Sequence, residues 1–144
     1  METKQSVIFI YNNLGLFKSW VIPVAERLGF NFFNFAYPED FEAWIGEDSS
    51  RIDNIKLIVL GQYFPGDGSR QRESGPSRGV IFYKKLLEKI DTKKTQILIV
   101  AEIEDQEEYM KKCEEYSVTL QHHPIDIVDF GSVYEKKLKQ KTKQ

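Results

Sequence analysis

The chain has 144 residues, of which 41% are hydrophobic and 29% charged, a balance typical of a single globular domain. Its formal net charge of −2 is too small to favour nucleic acid or an anionic membrane as the main partner. Its one cysteine, Cys113, excludes an internal disulfide and a thiolate metal cluster and suits a reducing compartment.

Two further features bear on localisation. No apolar run approaches the roughly 18 residues needed to span a bilayer. The first residues run directly into a strand pattern and are not typical of a signal peptide. We therefore expect a cytoplasmic protein with no membrane partner.

Apolar runs typical of strands alternate with helical patterns along the first half of the chain. Residues 7–11 form a continuous apolar run, typical of a strand covered on both faces. Helical spacing then predicts a helix that ends near Gly29. Proline is tolerated best in the first helical turn, so we expect Ser19 near the N-cap or a kink at Pro23. The next predicted elements are a strand over 30–36, a helix over 38–45 and a strand over 55–60.

The second half continues the alternation but leaves the last strand open. The pattern predicts a helix over 79–90, a strand over 97–100 and a helix over 105–116. The fifth strand is either 118–120 or 125–130, and a C-terminal helix follows. The long Gly- and Pro-containing loop over 62–78 is of a kind that is usually functional or mobile.

Five strands alternating with helices imply parallel pairing, because each right-handed crossover needs a helix to return the chain. We therefore predict one doubly wound (βα)5 sandwich, a flavodoxin-like α/β fold with a parallel five-stranded sheet. The domain is expected over 1–140, with a flexible Lys/Gln tail over 139–144. Ligands of such folds bind outside the carboxyl ends of the strands, here at Asn12, Gly61, Ala101 and His123.

The order of residues at these strand ends resembles the receiver domain of two-component response regulators. Pro65 follows Gly61 as a proline follows the phospho-acceptor of receivers, and His123-Pro124 stands where the family has a Lys-Pro pair. The segment from Gly75 to Val80 is similar to the start of the third helix in receivers with a long third loop. The resemblance implies a receiver-like scaffold over nearly the whole chain.

The same positions lack the chemistry that the resemblance implies. Receivers carry there an acidic pair, a phospho-accepting Asp, a Ser/Thr and a Lys, whereas this chain has the degenerate set Asn12, Asn13, Gly61, Ala101 and His123. Phosphoryl transfer needs a nucleophile, Mg²⁺ held by carboxylates and a fixed cation. We therefore predict a pseudo-receiver that is not an enzyme and has no cofactor and no metal.

The first functional hypothesis is thus a phosphorylation-independent signalling domain that binds a protein partner, with a homodimer as one form. In the family, the face made by the fourth helix, fifth strand and fifth helix mediates dimerisation and output. That face would present Tyr109, Tyr116 and Tyr134 as interface anchors. Tyr109 and Tyr116 lie seven residues apart and fit a core position equally well.

Two alternatives stay open. A small ligand or substrate could occupy the strand ends, using Asn12, His123 and an anion-binding loop with Arg70, Arg72 and Arg78. The chain could also be one module of a larger protein whose activity lies in a missing domain. A metal site at His122 and His123 is not expected, because neighbouring side chains on an extended backbone point in opposite directions.

Overall fold

The computed structural model describes residues 4–11, 18–61, 76–101, 103–119 and 121–140, and for 76–79, 103–105 and 127 only the backbone. The strands are β1 (Ser6–Ile10), β2 (Asn31–Phe35), β3 (Ile55–Gly61) and β4 (Gln96–Val100). The helices are α1 (Lys18–Arg27), α2 (Pro38–Glu47), α3 (Pro76–Lys89), α4 (Ile103–Glu115) and α5 (Ile127–Lys139), with a 3₁₀ helix (Ser49–Asn54) before β3.

The described strands form one parallel sheet in the order β2-β1-β3-β4. Every residue of β1 and β3 is buried, as expected for central strands covered on both faces. β2 is an edge strand and is only partly buried. The prediction of an α/β fold with a parallel sheet is confirmed, and the strand order is compatible with a flavodoxin-like arrangement.

Side-chain alternation along the strands divides the core into two clusters, one on each face of the sheet. Ile8 and Ile10 of β1 face α2, α3 and α4, whereas Val7 and Phe9 face α1 and α5. Phe9 makes an edge-to-face contact with Tyr134 of α5, with ring centroids 5.6 Å apart. Contacts of this kind stabilise a core by about 0.5–1.5 kcal/mol beyond the area that they bury. The helices are therefore fixed on both faces, which is the doubly wound arrangement.

β1, β3 and β4 all start at one end of the sheet, here called the amino edge. α1 and α4 end at this same end of the sheet. After the last residue of α1, the chain turns out of the helix at Gly29, whose φ of 90° is a conformation that glycine adopts without steric cost. The N–H of Phe30 donates to the carbonyl of Ala25 at 3.0 Å, and the N–H of Gly29 donates to that of Glu26 at 3.0 Å. These two bonds form a Schellman motif, so the predicted stop at Gly29 is confirmed.

α4 ends in the same motif with Ser117 in the place of glycine. Ser117 has a φ of 57°, and the N–H of Val118 donates to the carbonyl of Cys113 at 2.8 Å. Val118 and Cys113 are both buried in the same cluster, which supplies the apolar contact that accompanies this motif. The motif turns the chain out of the helix and ends it where the sequence predicted.

A second feature of the amino edge anchors the end of α5. The Gln96 side chain donates to the carbonyl of Lys137 at 3.0 Å, and the ammonium of the buried Lys56 donates to the carbonyl of Gln140. The last carbonyls of a helix lack partners within the helix and attract cations. Burial lowers the pKa of Lys56. Thr95, also buried, donates its hydroxyl to the carbonyl of Ile55 at 2.8 Å.

The first helix is described from Lys18, and Ser19 lies inside it. The residues directly before Lys18 lie outside the described residues, so the expected N-cap near Ser19, or a kink at Pro23, stays a prediction. Pro23 also lies inside the helix, where its missing N–H leaves the carbonyl of Ser19 without the usual partner four residues on. Burial of Val21, Val24 and Ala25 against the sheet offsets this cost.

The predicted fifth strand is not formed by the described residues. Val118 and Thr119 lie outside any strand, Leu120 is not described, and α5 already begins at Ile127. What remains is one parallel bridge between Val100 and Ile125 at the outer side of β4. The described sheet therefore has four strands, with the segment 118–126 passing beside β4.

Two further expectations concern the end of the chain and membrane-spanning helices. α5 extends through Lys139, and residues 141–144 of the predicted Lys/Gln tail lie outside the described residues. Among the described helices, none combines the length and the apolar character needed to cross a bilayer.

Candidate functional site

The carboxyl ends of the strands define the candidate site, here called the carboxyl edge. β1 is followed by Tyr11, β3 ends in Gly61 and β4 is followed by Ala101. The backbone of Tyr11 continues the sheet, because its N–H donates to the carbonyl of Phe35 at 3.0 Å. The register pairs Ile10 with Leu60, which brings Tyr11 beside Gly61. The sheet thus fixes three of the predicted positions next to one another.

The ring of Tyr11 covers Gly61, the position of the phospho-acceptor in the resemblance. A Cβ atom built on Gly61 would lie 2.8 Å from Cδ2 and 3.2 Å from Cε2 of Tyr11. Real Cβ atoms essentially never approach other heavy atoms to 2.8 Å. The half-buried Tyr11 side chain also packs against the core cluster of α1 and α5. The space above Gly61 is occupied rather than empty.

Ala101 is engaged through its backbone on both sides. Its N–H donates to the carbonyl of Ile125 at 2.9 Å, and its carbonyl accepts from the side-chain amide of Gln106 at 3.0 Å. The residue is 3% exposed and presents only a methyl group. This position therefore joins β4, α4 and the segment before α5, and it offers no hydroxyl to a bound phosphoryl group.

Of the two neighbouring histidines, His122 is half-buried, whereas His123, the residue selected from the sequence, is exposed. The Nδ1 atom of His122 lies 2.8 Å from the hydroxyl of Tyr83, a fully buried residue of α3. Burial lowers the pKa of His122, and the nearby charge of Lys137 lowers it further. The sequence offered one signal for this pair, a tyrosine on the apolar stripe of α3, but nothing that joins it to a distant loop.

The described residues leave the predicted anion-binding loop untested. Asn12, Asn13, Arg70 and Arg72 lie outside the described residues, and Arg78 is described only by its backbone in α3. The hypothesis that these side chains hold a ligand stays a prediction. At the described part of the carboxyl edge, Tyr11, Gly61 and Ala101 supply no charged side chain to such a ligand.

Two of the three predicted interface tyrosines belong to the core, so this part of the prediction is wrong. Tyr109 is 1% exposed and Tyr134 is 0% exposed. Burial raises the pKa of both phenols, and Tyr134 donates its hydroxyl to the carbonyl of Val21 at 2.8 Å. A partner that docks on the folded chain cannot reach these side chains. The choice between core and interface depended on which way each helix faces, which the seven-residue spacing could not decide.

The third tyrosine is at the surface. Tyr116 is 38% exposed, directly after the end of α4. Val128, in the first turn of α5, is 82% exposed. The sequence analysis did not select Val128, because one valine in an amphipathic helix gives no sign of facing water. These two residues flank the segment 118–126 in the sequence.

The described side chains offer no activated thiol. Cys113 is a buried free cysteine of α4, and burial raises the pKa of its thiol, which disfavours the reactive thiolate. Within the described ranges, three or more His, Cys, Asp or Glu side chains do not gather into a group that could hold a metal ion. No protein-family model matches this chain, and no curated protein is significantly similar to it.

Proposed function

We propose that this chain is a receiver-like interaction domain that works without phosphorylation. The proposal rests first on the scaffold. The strand order β2-β1-β3-β4, the parallel pairing and the bridge from Ile125 to the outer side of β4 are those expected of a receiver-like sheet whose fifth strand is reduced to one residue.

The observation that carries the proposal is the ring of Tyr11 over Gly61. A phospho-acceptor at this position would need a side chain, and its first carbon would already meet the ring at 2.8 Å. Nearby, Ala101 supplies no hydroxyl, and its backbone is tied to Ile125. Because packing closes the reactive positions of this scaffold, we infer that it acts by binding a protein partner.

The exposed side chains that fit this role lie at the two ends of the segment 118–126, one after the end of α4 at the amino edge and one in the first turn of α5. Tyr116 and Val128 are two of the large apolar side chains that the described surface exposes. Isolated exposed apolar residues are common, but tyrosine is enriched at protein interfaces. We therefore assign the partner-binding surface to Tyr116 and Val128 in place of the buried Tyr109 and Tyr134.

The first experiment offers the chain a small phosphodonor with Mg²⁺ and, separately, beryllofluoride with Mg²⁺. We expect no phosphorylated species by intact-mass spectrometry and no chemical-shift change at the Gly61 amide. A receiver with an intact site, treated in parallel, controls for the reagents. A stable phosphorylated species or shifts centred on Gly61 would overturn the proposal.

A second arm tests the binding surface. The chain and its Val128→Asp variant are used as baits, and captured proteins are compared by mass spectrometry. Ser132→Asp, one turn further along α5 and also exposed, is the matched control. We expect Val128→Asp to abolish a capture that Ser132→Asp retains. Equal capture by both variants would remove this surface from the proposal.

A further inference from the structure

Gln121 and His122 are held against α3 by a small, partly buried polar cluster. Its members are the hydroxyl of Tyr83, the Nδ1 atom of His122 and the backbone N–H of Gln121. The N–H of Gln121 donates to the Tyr83 oxygen at 3.2 Å, so the hydroxyl hydrogen is available for His122, 2.8 Å away. The bonding scheme requires Nδ1 to be the acceptor, which places the imidazole hydrogen on Nε2.

This scheme works only for a neutral imidazole. A protonated His122 would carry a hydrogen on Nδ1 and would turn the acceptor facing Tyr83 into a donor. Tyr83 is fully buried, and within the described part of the chain its hydroxyl bonds to His122 and Gln121. Its hydroxyl hydrogen would then have no acceptor, which is costly for a buried group.

We propose that the Tyr83–His122 hydrogen bond is a pH-sensitive latch that holds residues 121–123 against α3 at neutral pH and releases them when His122 becomes protonated. These residues lie between two anchors. Val118 is buried in the core, and Ile125 is fixed by its bridge to β4. Residues 121–123 can therefore move away from α3 while both anchors and the sheet stay in place.

The charged and titratable neighbours favour this behaviour. Lys137 of α5 disfavours a second positive charge on His122. On α4, Cys113 and Tyr109 face Tyr83 and are both neutral near pH 7, because burial raises their pKa values. Lys84 of α3 donates to the carbonyl of Tyr116 at 3.2 Å and so engages the end of α4. None of these groups supplies a negative charge to stabilise the imidazolium.

The direction of the pH dependence follows from linkage. The pKa of His122 is lowered in the closed form, whereas an exposed histidine titrates near about 6.5. Below that pH the open form takes up a proton that the closed form does not, so acid favours opening. Between pH 7.5 and pH 5.5, the ratio of open to closed chains should rise by up to about tenfold, the limit reached when the closed form takes up no proton in this range.

Hydrogen exchange read by NMR tests the latch on the whole chain. Protection factors, which correct for the intrinsic pH dependence of exchange, should fall by up to about tenfold at Gln121 between pH 7.5 and pH 5.5. Ile125, whose N–H is held by the bridge to β4, should stay protected at both pH values. The ¹⁵N shifts of His122 should show an unprotonated Nδ1 at neutral pH. Protection of Gln121 that does not depend on pH, or a hydrogen on Nδ1 at neutral pH, would overturn the proposal.

A pair of buried tyrosines provides the matched variants. Tyr83→Phe removes the latch hydroxyl, so the protection of Gln121 should be low at neutral pH and should no longer depend on pH. Tyr134→Phe also removes a buried hydroxyl, but on the opposite face of the sheet, and should keep the pH dependence. Loss of the pH dependence in Tyr134→Phe would indicate general destabilisation and would contradict the latch.

A third variant does not rely on the removal of Tyr83. His122→Asn can place an amide oxygen near the position of Nδ1, as an acceptor that does not titrate. We expect this variant to keep Gln121 and Ile125 protected at both pH values. A tenfold loss of protection in acid despite the substitution would show that another group drives the opening. None of these outcomes depends on whether the chain can be phosphorylated, which is the question that the first experiment on the proposed function addresses.

Discussion

The amino edge and the carboxyl edge of the sheet differ in the polar side chains that they hold, and this difference bears on function. At the amino edge, the described structure buries a lysine and a threonine and half-buries a glutamine, and these side chains donate to carbonyls at the end of α5 and in β3. At the carboxyl edge, the residues that close the strands are Tyr11, Gly61 and Ala101. Folds of this kind usually carry their chemistry at the carboxyl edge. Here the described polar contacts of the amino edge fix a helix, while an aromatic ring fills the carboxyl edge.

The largest expected effect tests the filled carboxyl edge. Gly61→Ala should lower the free energy of unfolding by about 1–3 kcal/mol, because the new methyl group overpacks against Tyr11. Gly46→Ala in α2 is the matched control, since its Cβ would meet nothing within 4 Å. This control should stabilise the helix by about 0.5–1 kcal/mol. Chemical denaturation of the two variants measures both effects.

A double-mutant cycle sharpens this test. In a Tyr11→Ala background, which itself loses packing, the additional cost of Gly61→Ala should largely disappear because the ring is gone. An equal cost in both backgrounds would show that the close approach to Tyr11 is not what keeps glycine at this position.

The next effect tests the polar amino edge. Thr95→Val keeps the shape of the side chain but leaves the carbonyl of Ile55 without its 2.8 Å donor. The expected loss is about 1–2 kcal/mol of unfolding free energy, because a buried acceptor becomes unsatisfied. Thr119→Val, at an exposed position, should stay within about 0.5 kcal/mol of the parent chain. Similar losses at both sites would mean that the hydrogen bond of Thr95 adds no stability.

The smallest effect concerns the helix ends at the amino edge. Ser117→Gly should raise the unfolding free energy by about 0.5–1 kcal/mol, because glycine adopts a φ of 57° with less strain than serine. Gly29→Ser at the matching end of α1 should lower it by a similar amount. A shift in the denaturation midpoint with unchanged m-value would report each change.

The sequence predicted the parts of the fold that depend on local patterns. β1, β3 and β4 were recognisable as apolar runs, and Gly29 marked the end of α1. Pro23 gave no clear helix boundary, because burial against the sheet stabilises a helix that includes this proline against its local preference. The fifth strand could not be placed because its one remaining bridge at Ile125 depends on tertiary contact with β4 rather than on a strand pattern.

The candidate site was harder to predict for a related physical reason. The sequence placed Tyr11, Gly61 and Ala101 at strand ends, but it gave no sign that the first side chain lies over the second. It selected His123, whereas the hydrogen bond belongs to His122, because burial in a loop follows from packing and not from residue type. Tyr109 and Tyr134 were predicted at an interface but lie in the core, for the same reason.

The contact between Tyr11 and Gly61 also constrains how this chain could change. A carboxylate at position 61 is not accessible by substitution at that position alone, because the first carbon of any side chain meets the ring. Tyr11 would have to be replaced by a smaller residue first, at a cost in packing and with no gain in activity. The two positions are therefore epistatic, and any route to an acidic site here must pass through a less stable intermediate sequence.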